Sequence, residues 1–174
     1  MELKEDFMTG SYLKTDAFSY MGLHKKAHRE IDRLITSENS MDIISSVDHA
    51  LNAAFSIFHL LEWKKHLDQS ADTQSKKTKA RDLCINSNNK SLLLLHDVVT
   101  RNKHVTVSAP MHPGDIEPKV EEDCNFICTQ SGDYLVTEDN RRLVTEGSKI
   151  TVYFGDEIAT NVLSEALGYF NAEN

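Results

Sequence analysis

The sequence predicts a mainly α (α+β) protein: an up-and-down helical bundle followed by a small C-terminal antiparallel β-meander and a final helix. Three observations carry this. Apolar residues recur at helical spacing before residue 104, all three prolines fall between Pro110 and Pro118, and the apolar period shortens to two after them. A proline removes a backbone donor and pushes the residue before it toward extended backbone, so this stretch cannot be one helix. It divides the chain into a bundle over 1–108, a proline-rich connection over 109–120, and a meander with its helix over 121–174, together one structural domain.

The first helix is expected over 13–35, where Leu13, Ala17, Tyr20, Met21, Ala27, Ile31 and Leu34 share a face. The second is expected over 41–67, with Ser40 as N-cap and Ile44, Val47, Leu51, Phe55, Phe58 and Leu61 as its inward stripe. The polar segment 69–82 reads as a loop leading into a short helix, and another helix follows over 89–103 with Leu92, Leu95 and Val99 facing inward. Strands are expected at 126–129, 134–137, 143–145 and 149–154, linked by short polar turns of hairpin type. Gly155 and Asp156 then open a last helix bearing Ile158, Val162, Ala166 and Phe170. No internal repeat is read.

The chain of 174 residues carries a net charge of −8, unevenly spread. Residues 1–59 hold 6 Lys/Arg against 9 Asp/Glu, residues 60–104 hold 9 against 5, and residues 105–174 hold 4 against 13. An acidic protein binds nucleic-acid backbone poorly, because such affinity comes from cations that displace counterions, and there is no DNA-binding signature. The basic middle segment leaves an RNA patch or a solvated helix face as alternatives. No apolar run approaches a membrane span, and the charged N-terminus is not a secretory signal. With only Cys84, Cys124 and Cys128, reduced thiols in a cytoplasm are expected. Cys124 and Cys128 lack partners at zinc-ligand spacing, and between His24 and His28 stand Lys25, Lys26 and Ala27 with no acidic residue, so neither metal nor cofactor is expected. Phosphate-loop, dinucleotide-binding and nucleophile-elbow motifs are absent.

Two polar groups remain. Asp97, Arg101 and His104 recur at helical spacing on the fourth segment. A guanidinium that grips phosphate beside an imidazole that moves a proton would suit metal-free cleavage of RNA by its own 2′-hydroxyl. The alternative is an exposed helix end, with an Asp97–Arg101 surface ion pair and cations that complement the helix dipole. On the second helix, Asp48, Asn52, His59, Trp63 and His66 share a face that suits either a groove or dimer interface or plain helix packing.

The stretch ALNAAFSIFHLLEW at 50–63, followed by a helix that closes on Lys103-His104, resembles the bacterial HEPN-like helical proteins (higher eukaryotes and prokaryotes nucleotide-binding). The resemblance covers 41–104, with a looser match in the β segment. It implies a bundle that homodimerises, acting as a binding or regulatory module with a protein or RNA partner in antiphage defence or a toxin–antitoxin system. Active members are metal-independent endoribonucleases whose motif is Arg, four to six residues, then His. Arg101-Asn102 matches its opening, whereas His104 follows after two residues and His112 lies beyond the helix. Under the resemblance, Arg101, His104 and Asp97 are the candidate catalytic residues, and Asp48, Asn52, His59, Trp63, Asn102 and Lys103 the candidate binding residues.

Overall fold

The computed structural model describes residues 19–67, 80–103, 111–112, 116–140 and 142–170. Its elements run α1 (Tyr20–Asn39), α2 (Ile43–Leu67), α3 (Ala80–Ser87), α4 (Lys90–Lys103), β1 (Pro118–Asp123), β2 (Lys149–Phe154), β3 (Glu157–Ile158) and α5 (Ala159–Gly168). The fold is mainly α with a small antiparallel sheet ordered β1-β2-β3. Expected helix over 13–18, the loop at 68–79, and Pro110 and Pro113 lie outside the described residues.

Helix α1 starts at Ser19, whose hydroxyl accepts from Gly22 N–H, and continues to Asn39, four residues past the expected end. It stops in a Schellman turn: Met41 N–H donates to Glu38 O, and Asp42 N–H to Ser37 O. Met41 occupies the left-handed position with φ 58°, where glycine is usual. Ser40 is therefore the C-cap of α1 rather than the N-cap of α2. Asp42 takes the latter role, accepting from Ser45 N–H and Ser45 Oγ. Asn89 caps α4 in the same way, accepting from Leu92 N–H.

The buried face of α2 is Ala50, Ala53, Ala54, Ile57, Leu60 and Leu61. α1 adds Ala27, Ile31 and Leu34 to the same buried cluster. The expected inward stripe is thus rotated: Phe58 and Leu61 are buried, Val47, Leu51 and Phe55 are half-buried, and Ile44 is 76% exposed. Apolar residues surround most of α2, so periodicity could not tell which side is buried. Leu92, Leu95 and Val99 of α4 are buried as expected, and α5 adds Val162, Leu163, Ala166 and Leu167 to one continuous core.

Strand β2 alternates buried Ile150, Val152 and Phe154 with partly exposed neighbours, laying one face on the helices. It pairs antiparallel with β1 from Pro118↔Phe154 to Asp123↔Lys149. β1 straddles the end of the expected connection at 120, where no strand is read from sequence because PKVEED is almost wholly exposed and shows no alternation. The other three expected strands form no meander ladder. They close in a ring: Ile127 N–H donates to Leu143 O, Leu143 N–H to Leu135 O, and Leu135 N–H to Ile127 O, at 2.8–2.9 Å. Single bridges Phe126↔Val144, Cys128↔Tyr134 and Val136↔Arg142 relate equivalent positions cyclically.

This ring is an eight-residue repeat that the sequence reading missed. The segments 126–133, 134–141 and 142–149 read FICTQSGD, YLVTEDNR and RLVTEGSK. In each, the Thr carbonyl accepts from the N–H three residues on, at Gly132, Asn140 and Ser148. Gly132, Asn140 and Gly147 have positive φ, which only glycine and asparagine adopt readily. Phe126, Tyr134 and Arg142 stand at equivalent positions and pack together, with the guanidinium 4.4 Å from the Tyr134 ring centre and 5.3 Å from that of Phe126.

One buried carboxylate fastens the sheet to the bundle. β3 covers only Tyr153 and Phe154, leaving the adjacent edge of β2 open. Glu38, at the end of α1, accepts from Val152 N–H at 2.8 Å in a buried setting. Burial raises its carboxyl above the ordinary 4.5, opposed by the Val152 hydrogen bond and Lys149. The folded chain therefore holds the Glu38 proton to higher pH than the unfolded chain, so this contribution to stability is full below 4.5 and is lost as pH rises through the folded value. Glu38→Gln, which keeps an acceptor but never ionises, should flatten that pH dependence and be at least as stable as the parent at neutral pH. Glu38→Ala, which orphans Val152 N–H, should cost about 1–3 kcal/mol in urea denaturation.

Candidate functional site

The candidate residues occupy the C-terminal end of α4 and the outer side of α2. Arg101, Asn102 and Lys103 are all exposed in the last turn of α4. Arg101 Nη2 donates to Glu117 Oε1 at 2.9 Å, just before β1. Both side chains are largely in water, so the pair adds under about 1 kcal/mol. The Lys103 ammonium lies 5.3 Å from the Phe58 ring centre and 5.8 Å from that of Phe55, tying α4 to α2 by a cation–π contact. His104 lies outside the described residues.

Asp97 does not share the exposed side with Arg101, and the two do not form the expected surface pair. Asp97 is 0% exposed. Its Oδ2 accepts from the backbone N–H groups of Met111 and His112, and its Oδ1 lies 3.0 Å from His96 Nδ1. Both oxygens are used, as a buried charge requires. His96 in turn stands edge-on to Phe58. Asp97 thus anchors the connection after α4, a role hidden from sequence because its partners lie 14 and 15 residues downstream.

The anchor sets His112 in the wall of a cleft of about 500 Å³ between α4 and α5, with Ser91, Asn161 and Glu165 among its polar lining. Ser91 Oγ donates to Glu165 Oε2 at 2.9 Å across it. No sequence motif marks this cleft, since its lining comes from three separate stretches of the chain.

On α2, Asp48, Asn52 and His59 are exposed and Trp63 is 39% exposed. His59 Nε2 lies 3.9 Å from Glu62 on the same surface. The side chain of His66 is not among those described. On the same side Ile44 is exposed, while Leu51 and Phe55 are half-buried against the core and Phe55 also lies under Lys103. The rings of His24 and His28 lie 4.9 Å apart, and no cluster among the described residues is arranged to hold a metal. No described helix is long and apolar enough to cross a membrane. The chain matches no family model, no curated protein and no solved structure.

Cys84 is buried near Asp97, and burial first, then that charge, pushes its thiol up to about 12. In the native protein a thiol reagent should titrate Cys124 and Cys128 and leave Cys84 until the chain unfolds. Asp97→Ala, which strips two backbone N–H groups of their acceptor, should cost about 2–5 kcal/mol and expose Cys84 to the reagent.

Proposed function

We propose that this chain is a non-catalytic, HEPN-like binding or regulatory module that works as a homodimer through the outward side of α2. The exposed Ile44 and Trp63, with the half-buried Leu51 and Phe55 between them on the same side of α2, carry the proposal. An isoleucine 76% exposed and a tryptophan 39% exposed on one long helix stand in water only at a cost that a partner surface would remove. Asp48, Asn52 and His59 would form its polar rim, and Asn102 and Lys103 its edge. In the antiphage or toxin–antitoxin setting that the resemblance implies, the further partner would be a protein, since an acidic chain is poorly suited to RNA.

The ribonuclease alternative asks more of these residues. Arg101 is engaged by Glu117, and Asp97 is committed to backbone N–H groups, so the described part of the triad offers neither an acid nor a base. The proposal expects purified protein to leave total RNA and a structured tRNA uncut in EDTA. Cleavage that His104→Ala lowers by about 10²-fold or more would establish the enzyme instead.

Sedimentation equilibrium should give twice the chain mass of 19.7 kDa at micromolar concentration. Ile44→Glu with Trp63→Glu should give the monomer mass with unchanged helical circular dichroism. A parent protein that sediments as a monomer would remove the dimer from the proposal.

A further inference from the structure

The three-repeat ring at 126–148 has an unusual property for a folded unit: none of its described residues is buried. Ile127, Leu135 and Leu143, one from each repeat, are exposed to 38%, 39% and 38%. Tyr134 and Val136 are about half exposed beside them. Five of the eleven large hydrophobic residues exposed among the described residues therefore lie in this short segment. Isolated strands joined by single bridges are marginal in water without an apolar face covered by something else. The eight-residue repeat places an exposed aliphatic residue, Ile127, Leu135 and Leu143, at three equivalent points around the ring.

The charge around that surface selects its occupant. The turns at its corners carry Asp133, Glu138, Asp139 and Glu146, and the stem below adds Glu121, Glu122 and Asp123. Over 117–157 there are 10 acidic residues against 4 basic ones. A second copy would set carboxylates against carboxylates. RNA or an anionic membrane would meet the same repulsion. A protein segment with apolar residues at its centre and Lys or Arg around them complements both features. We propose that the repeat ring is a docking surface for a basic, amphipathic segment of a partner protein, separate from the outward side of α2.

The test uses the full chain, labelled with ¹⁵N, and two synthetic helical peptides of one amphipathic pattern, Leu/Lys and Leu/Glu. The Leu/Lys peptide should shift resonances within 126–148 and slow their amide exchange, and added salt should weaken its binding. The Leu/Glu peptide should not bind. Leu135→Glu with Leu143→Glu should weaken the Leu/Lys peptide by about tenfold or more. Because those changes could unfold the ring, Glu138→Lys with Asp139→Lys, confined to one exposed turn, should weaken it as well. Equal binding of both peptides, shifts confined to α2, or full binding by the turn variant would overturn the proposal. So would association of free chains that the Leu135/Leu143 variant abolishes, because the occupant would then be a second copy.

Discussion

The buried carboxylate of Asp97 is the interaction on which the arrangement of this protein turns. A charge with no exposure is tolerated only when its oxygens are fully used, and here they hold two backbone N–H groups and face an imidazole. That requirement brings Met111 and His112 back against α4, sets His112 in the cleft beside α5, and adds its charge to the burial that raises the thiol of Cys84. It also separates Asp97 from Arg101, which turns outward to Glu117. Glu38 does comparable work at the other side, where one acceptor satisfies an open strand edge and joins α1 to β2. Two acidic residues thereby join connection and sheet to the bundle, and their acidity is spent on structure.

Helix α2 buries Ala50, Ala53 and Ala54 with Ile57, Phe58, Leu60 and Leu61, and leaves Ile43, Ile44 and Trp63 exposed. A helix apolar on most sides has a second surface to cover once its first is packed. The Lys103 stem and charge shelter Phe55 and Phe58, and Ile44 and Trp63 remain exposed. The proposed partner surface follows from which residues are left exposed.

Much of the fold was legible in sequence because local rules govern it. The proline cluster, the Leu92–Leu95–Val99 spacing, and the turn residues Gly132 and Asn140 each act within a few positions. What escaped depends on distant partners. PKVEED is a strand because β2 pairs with it, and no pattern of its own says so. Ser40 and Asp42 exchange roles because the Schellman turn extends α1. The eight-residue repeat was obscured because its first copy shares only a threonine and aliphatic character with the others, so it read as hairpins. Of the candidate site, Asp48, Asn52, His59 and Trp63 are exposed, while the burial of Asp97 depends on downstream partners that helical spacing does not show.

The proposed dimer would bring the outward side of α2 against its counterpart in a second copy. A spin label at Asn52→Cys reports on it directly, in a chain whose Cys124 and Cys128 are replaced by Ser and whose Cys84 is shielded by burial. Labels on two copies should show a resolved dipolar interaction, which disappears when labelled chain is diluted with excess unlabelled chain. Labels that show no dipolar interaction at any concentration up to the micromolar range would contradict it.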